Sequence, residues 1–163
     1  EAFAAYDSCL QWKDDNVMAL NNYAYYLSEK GVDLHKAESM SYKTIKAEPN
    51  NGTYLDTYAW ILFMEERYAD AKTYIDQALK NRDSTADNST VLEHAGDIYY
   101  MNGMADESVD FWKKAYTGEN QTEVLAWKIK NRQYITEEEL KKRNAPKQKP
   151  TATKKSVRKG KKK

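Results

Sequence analysis

The chain repeats its own pattern about every 34 residues, and this repeat constrains the fold more than any other feature. Three segments, 19–50, 54–83 and 91–120, align as helix, turn, helix and polar break. The small residue that opens the second helix recurs at steps of 35, 34 and 37 residues, as Ala2, Ala37, Ala71 and Ser108. The last step is longer because residues 83–88 form an insertion. Such a period predicts helical hairpins that stack side by side.

The small residues of the repeat mark the places where two helices cross closely. A side chain larger than alanine would push the two backbones apart at such a crossing. On the first helices the small position is held by Ala24, Ala59 and Gly96. Large residues four positions after the small residue of the second helix then fill the space between hairpins, as Tyr6, Ile75 and Trp112. No single hairpin buries its apolar face, so stability is expected to come from stacking.

This spacing resembles the tetratricopeptide repeat (TPR), a helical hairpin of 34 residues. The best matches are Ala71-x3-Ile75-x2-Ala78, Ser108-x3-Trp112-x2-Ala115 and Gly96-x2-Tyr99. The resemblance implies an all-α helix-turn-helix solenoid that winds as a right-handed superhelix. Residues 50–60, 92–97 and 111–115 are in addition similar to arrays at the C-terminal end of long bacterial TPR proteins. Many of those proteins belong to the cell envelope or periplasm, so the resemblance favours that location over the cytoplasm.

The repeat register divides the chain into seven segments. Residues 1–15 are expected to be the second helix of a truncated repeat, and three full repeats are expected at 16–50, 51–84 and 88–120. A capping helix at 121–135, a short helix at 136–144 and a disordered Lys-rich tail at 145–163 follow. On the capping helix, Lys128, Lys130 and Arg132 are expected to face water. We therefore expect the C-terminal part of a longer array, closed at its C-terminal end and open at its N-terminal end.

The first helices of TPR arrays line a concave groove, and the resemblance places seven side chains of this chain there. They are Asn21, Tyr25, Asp56, Trp60, Glu93, Asp97 and Tyr100. Aromatic side chains beside carboxylates suit a peptide or a partner helix that carries apolar and basic side chains. The Lys, Asn and Arg set with which some TPR domains clamp a C-terminal carboxylate is missing, which disfavours that mode. The alternatives are that Trp60, Phe63 and Tyr100 are partly buried between helices and that Asp97 is a solvated surface charge.

Few residues offer catalytic or metal-binding chemistry. The chain has two histidines, and the adjacent Glu93 and His94 point to different sides of a helix. Cys9 occupies a small core position of the repeat, where an inert buried thiol is expected. No phosphate loop, nucleophile elbow or metal-ligand cluster occurs. We therefore expect no enzyme, no metal, no cofactor and no small-molecule substrate.

The net charge of +1 conceals an acidic body and a basic tail. Residues 1–140 carry all 25 acidic residues and a net charge of −11, whereas residues 141–163 carry no acid and a net charge of +12. The tail includes Lys154, Lys155, Arg158 and Lys159. It could contact nucleic-acid phosphates, an anionic membrane or an acidic protein surface, or serve solubility alone. The sequence thus leaves two functions open, a protein-binding scaffold that acts through the groove and a tether that acts through the tail.

Overall fold

The computed structural model describes residues 16–146, and this part of the chain is helical with no strand. Its elements are α1 (Val17–Lys30), α2 (Leu34–Ala47), α3 (Gly52–Met64), α4 (Tyr68–Lys80), α5 (Ser89–Met101), α6 (Ala105–Ala115), a 3₁₀ turn (Gly118–Asn120), α7 (Glu123–Asn131) and α8 (Glu137–Asn144). The prediction of an all-α fold is confirmed. The predictions for residues 1–15 and for the tail from residue 147 onward lie outside the described residues.

The helices pair in chain order and the pairs then stack. α1 packs on α2, α3 on α4, and α5 on α6, which gives three hairpins. Consecutive hairpins meet through α2 with α3 and through α4 with α5, while the first helices α1, α3 and α5 also touch in sequence. α7 packs on α6 at the end of the stack. The first helices therefore lie next to one another and present one shared face.

Asparagine side chains fix where the first helices begin. Asn16 Oδ1 accepts a hydrogen bond from the Ala19 backbone N–H at 2.9 Å, and Asn51 Oδ1 accepts one from the Tyr54 N–H at 3.2 Å. These bonds satisfy donors that a helix start leaves without a partner. At the other end of α1, Gly31 adopts a left-handed conformation with φ of 65° and donates back to the carbonyls of the last turn. The starts of α1 and α3 are thus fixed by their caps, whereas Asn88 before α5 makes no such bond and the Ser89 N–H donates to Asp87 Oδ1 instead.

The helices α5 and α6 cross closely at Gly96. A Cβ atom at this position would lie 2.3 Å from Cδ1 of Trp112, whose side chain is fully buried. Ser108 Oγ donates a hydrogen bond to the Gly96 carbonyl at 2.7 Å across the same crossing. Ala37 and Ala71, which are equivalent to Ser108, are also fully buried. The small residues of the repeat stand where the packing argument requires them.

Two short helices cover the end of the third hairpin. Leu125 of α7 is fully buried, and Leu140 of α8 is buried as well. Thr136 and Glu139 form a reciprocal capping box at the start of α8. The guanidinium of Arg143 lies 5.2 Å from the ring centre of Trp127, which ties α8 to α7. Together, α7 and α8 also reach the face of the first helices.

Candidate functional site

Two adjoining cavities lie along the first helices. The polar cavity encloses about 620 Å³ and is lined by α1, α3, α5 and residues between 81 and 88. The acidic cavity encloses about 450 Å³ and is lined by the same three helices together with α7 and α8. Tyr25 and Thr90 line both cavities, so the two spaces meet there. We call the two cavities together the first-helix groove.

The groove is built from equivalent positions on the three first helices. Asn21, Asp56 and Glu93 are each the fifth residue after the N-cap residue of their helix. Tyr25, Trp60 and Asp97 follow four residues later, one turn along the same face. All six line one or both cavities. The structure therefore brings six of the seven predicted groove residues together.

Asp56 is buried and paired with a residue of the next repeat. His94 Nδ1 lies 2.9 Å from Asp56 Oδ1, and a proton on this nitrogen donates to the carboxylate. Burial lowers the pKa of His94, but the charge and hydrogen bond of Asp56, with further help from Asp97 and Glu29, raise it above its ordinary value overall. The pair thus favours a protonated imidazole inside the groove wall.

Trp60 stands at the centre of an aromatic stack. Its ring lies 4.1 Å from that of His94 at an interplanar angle of 15°, and 4.7 Å from that of Phe63 at 13°. Tyr134 approaches the edge of Phe63 at 5.6 Å. The stack buries the Trp60 Nε1–H without a hydrogen-bond partner among the described residues. Trp60 is half-buried between helices and still lines the acidic cavity, so the two interpretations of this residue both hold in part.

A buried charge network fills the inner part of the acidic cavity. Lys128 Nζ of α7 donates to Asp97 Oδ1 at 2.8 Å and to Glu93 Oε1 at 3.2 Å. Trp112 Nε1 donates to the same Asp97 oxygen at 2.9 Å, and Asn120 Nδ2 to Glu93 Oε2 at 3.2 Å. Burial raises the pKa of Asp97, and the nearby ammonium of Lys128 opposes this rise. The chain itself therefore occupies this end of the groove with a cation.

Two expectations about these charges are wrong. Lys128 does not face water, because it is only 3% exposed and inserts between two carboxylates. Asp97 is not a solvated surface charge, because it is also 3% exposed. Sequence reasoning overlooked Lys128 because an isolated lysine on a surface helix is normally solvated. A signal was present nonetheless, since Lys128 lies three residues after the buried Leu125 and thus on the same helix face.

Asn21 is the buried polar residue at the opposite end of the groove. It is 5% exposed and lines the polar cavity, yet its Oδ1 has no hydrogen-bond partner among the described residues. Tyr25, one turn further on, separates it from the acidic cavity. Burial, and then the carboxylate of Glu29, raise the pKa of the Tyr25 hydroxyl, which therefore remains neutral at physiological pH. This end of the groove is open and incompletely bonded.

Tyr100 is the predicted groove residue that lines neither cavity. Its ring lies 6.0 Å from that of Trp112, and it packs on the core formed by α6 and α7. The insertion of residues 83–88, by contrast, was noticed in the sequence without a role and proves to wall the polar cavity. The four named tail residues, Lys154, Lys155, Arg158 and Lys159, fall beyond the described range.

Residues 16–146 lack two further features, a membrane-spanning helix and a metal-binding group of side chains. None of the helices in this range has the length and apolar character needed to cross a bilayer. The same range contains no cluster of three or more His, Cys, Asp or Glu side chains that could hold a metal ion.

Known proteins resemble this chain in sequence and in fold. No family model matches it. A TPR repeat-containing protein of Pseudomonas aeruginosa is 35% identical over 66 residues, which are 40% of this chain and 11% of that protein. The first TPR domain of human RPAP3 has a TM-score of 0.61 at 13% identity and covers 71% of this chain and 88% of its own. The N-terminal domain of stress-induced protein-1 from C. elegans has a TM-score of 0.55 at 20% identity, with 72% and 94% covered.

Proposed function

We propose that this chain, which is a tetratricopeptide-repeat protein, acts as a scaffold that holds a peptide or a helix of another protein in the first-helix groove. The observation that carries the proposal is the continuity of the two cavities along equivalent faces of three helices, with Tyr25 at their junction. Solenoids use such extended surfaces to bind long segments of a partner. We assign no catalytic step to the chain.

The chemistry of the groove limits what it can hold. Tyr25 and Trp60 offer aromatic surface, and Glu29 adds a carboxylate to the acidic cavity. Aromatic side chains of this kind supply much of the binding energy at protein interfaces. The Lys128 ammonium is already held by two carboxylates, so it is poorly suited to receive a ligand carboxylate as well. A ligand with apolar and basic side chains therefore suits the groove better than an anionic C-terminus.

The proposal can be tested with a random dodecapeptide library displayed against the complete chain. We expect selected peptides whose Kd rises at least about tenfold in Tyr25→Ala, because a central aromatic contact contributes more than about 1.4 kcal/mol. Tyr42→Ala is the matched control, since Tyr42 is exposed on α2 and lines neither cavity. Equal losses in both variants, or a loss in neither, would count against binding in the groove.

A second candidate function rests on the charge of residues 147–163. They contain nine Lys or Arg and no acidic residue. Such a segment binds phosphates or anionic lipid surfaces through charge alone, with a strong dependence on salt. Binding of duplex DNA, RNA and phosphatidylserine vesicles should be titrated with salt, with and without these residues. If the shortened chain binds equally well, the tail is not a tether.

A further inference from the structure

The helix α7 repeats a bonding pattern that joins α5 to α3. His94 is the sixth residue after the N-cap residue of α5, and its Nδ1 lies 2.9 Å from Oδ1 of Asp56, the fifth residue after the N-cap residue of α3. Lys128 is likewise the sixth residue after the N-cap residue of α7, and its Nζ donates to Glu93, the fifth residue after the N-cap residue of α5. The helix α7 therefore occupies the place that the first helix of a further repeat would take.

The helix α7 covers this end of the third hairpin only in part. It contains nine residues, whereas α1, α3 and α5 contain 13 or 14, and it buries two side chains, Leu125 and Lys128. The chain turns away at Arg132, which adopts a left-handed conformation with φ of 54°. Tyr100 of α5 is partly exposed, although its equivalent Phe63 of α3 is only 5% exposed. The end of the third hairpin thus has apolar surface beyond the part that α7 covers.

We infer that the end of the third hairpin is a docking surface for an amphipathic helix of a partner protein, which takes the place of α7. We call this surface the end face, and its residues are Glu93, Asp97, Tyr100, Val109, Trp112 and Ala115. The helix α7 is then the resident occupant of the end face and competes with the partner. The inference goes beyond the proposed function, because the end face lies at the end of the stack of hairpins and its use requires no ligand in the first-helix groove.

The contacts of α7 define the helix that fits the end face. Leu125, the third residue after the N-cap residue, is fully buried against the apolar side chains of α6. Three residues later, Lys128 Nζ lies between two carboxylates at 2.8 and 3.2 Å. In α5 the tenth residue after the N-cap residue is Ile98, which belongs to the same core cluster as Phe63. A partner helix therefore needs an apolar residue at the third position, a lysine at the sixth and an apolar residue at the tenth, which would cover Tyr100.

Exchange of α7 for such a helix leaves no buried charge without a partner. The lysine of the incoming helix bonds to the two carboxylates, and Lys128 returns to water. The helix α8 is attached to α7 and leaves with it, because Arg143 lies over the ring of Trp127 and Asn144 Nδ2 donates to Glu123 at 3.2 Å. The two helices thus move as one unit.

The partner must compete with a helix that belongs to the same chain. A short tether gives α7 an effective concentration on the order of millimolar. Burial of one further large apolar side chain, such as one that covers Tyr100, strengthens binding by about tenfold or more. A helix that merely matched α7 would be excluded, so the contact at the tenth position decides whether a helix binds.

The probe is a labelled synthetic peptide of residues 121–136 that carries Arg132→Ile and Gln133→Ala. These two changes let the helix continue and place an apolar residue at the tenth position, while Lys128 keeps the sixth. Fluorescence anisotropy with the complete chain measures its Kd. We expect the Kd to rise at least about fivefold when the peptide also carries Lys128→Gln. The matched control is Lys130→Gln in the peptide, which removes the same charge from the exposed side of the helix and should change the Kd by less than about twofold.

The competition with α7 is tested in the complete chain. Leu125→Ala weakens the contact of α7 and leaves the end face unchanged, so we expect the probe to bind at least about tenfold more tightly than it binds the wild type. Leu140→Ala weakens the contact of α8 and should act in the same direction. It serves as the second variant if circular dichroism and urea unfolding show that Leu125→Ala disturbs the hairpins. Lys130→Ala on the exposed side of α7 is the matched control and should leave the Kd unchanged.

Three results would overturn the inference. The first is equal binding of the probe to the wild type and to both leucine variants, and the second is indifference to Lys128→Gln in the probe. The third is a dimer of the complete chain in light scattering that the probe converts to a monomer, since the occupant of the end face is then a second copy. Tyr25→Ala should leave the Kd of the probe unchanged, so this inference stands or fails separately from the binding of a ligand in the first-helix groove.

Discussion

The two ends of the first-helix groove use equivalent positions in opposite ways. At the C-terminal end, Glu93 and Asp97 are bonded to Lys128, and Asp97 also accepts from Trp112. At the N-terminal end, Asn21, which is equivalent to Glu93, is 5% exposed, and its oxygen has no partner among the described residues. The comparison teaches that equivalent positions on one face of a repeat array can be fully hydrogen-bonded within the chain in one repeat and incompletely bonded in another. Burial alone does not distinguish the two situations, whereas hydrogen bonding does.

The largest expected effect on stability comes from Lys128→Met, which removes the cation bonded to Glu93 and Asp97 at the C-terminal end of the groove. We call this end the sealed end. Removing one partner of a buried ion pair leaves the other charges uncompensated and typically costs about 3–5 kcal/mol. We expect the free energy of unfolding, measured in urea, to fall by this amount. Asp97→Asn in the same background should recover part of the loss, because it removes a buried charge and still accepts from Trp112. Lys130→Met on the exposed side of α7 should change stability by less than about 0.5 kcal/mol.

A second prediction concerns the crossing of α5 and α6 at Gly96. Gly96→Ala places a methyl group 2.3 Å from the indole of Trp112. Overpacking of this kind typically costs about 1–3 kcal/mol, and we expect a loss in that range in urea unfolding. Ala24 and Ala59 hold the same repeat position in the other two hairpins, so the crossing there accommodates a methyl group. An unchanged stability of Gly96→Ala would mean that α5 and α6 separate easily.

At the N-terminal end of the groove, removal of the buried polar group at Asn21 is expected to leave the free energy of unfolding unchanged or to raise it. Asn21→Leu replaces a buried oxygen that has no partner among the described residues with an apolar side chain of similar size, so stability should stay constant or rise by about 1 kcal/mol. Asp56→Leu at the equivalent position should lower stability, because it leaves His94 buried without its acceptor. Thermal unfolding of the two variants provides the measurement. A large loss in Asn21→Leu would indicate that this carboxamide supports the fold rather than a ligand.

The smallest expected effect is a dependence of stability on pH. The pKa of His94 is higher in the folded chain than its ordinary value near 6.5, because Asp56, with Asp97 and Glu29, favours the imidazolium. The stabilisation that protonated His94 contributes to the fold is therefore fully present below the unfolded pKa of His94. It is lost as pH rises through the folded pKa. The stability difference between the wild type and His94→Gln should shrink from pH 5.5 to pH 9. A difference that grows over this range would show that the neutral imidazole is the stabilising form.

The repeat register was predictable because it follows directly from packing. Ala37, Ala71 and Ser108 are small for the same steric reason and recur at nearly constant spacing, so one sequence is enough to locate the hairpins and their first helices. The resemblance to TPR arrays then implies which face of the first helices lines the groove, and residues four apart share that face. This is why Asn21, Tyr25, Asp56 and Trp60 could be placed on a common face before the structure was known.

The bonding within the groove could not be predicted in the same way. Whether Asp97 is solvated or buried depends on Lys128, which is 31 residues away and belongs to a helix outside the repeat. Repeat spacing carries no information about that helix. The spacing of the repeat likewise gives no sign that His94 is paired with Asp56, which is 38 residues away in the preceding repeat. A repeat pattern shows which positions are equivalent in successive repeats. It does not show contacts between positions that are not equivalent, such as Asp56 with His94.

The stack of Trp60 on His94 has an optical consequence. An imidazolium in contact with an excited indole accepts an electron and quenches its emission, and the two rings are separated by only 4.1 Å between centres. Intrinsic fluorescence should therefore brighten as His94 loses its proton and shift in wavelength when a ligand covers Trp60. Trp112 and Trp127 can be replaced by Phe to reduce the background from the other described tryptophans. Trp60 is therefore an intrinsic fluorescent probe in the groove wall, and its emission can follow ligand binding in real time without an added label.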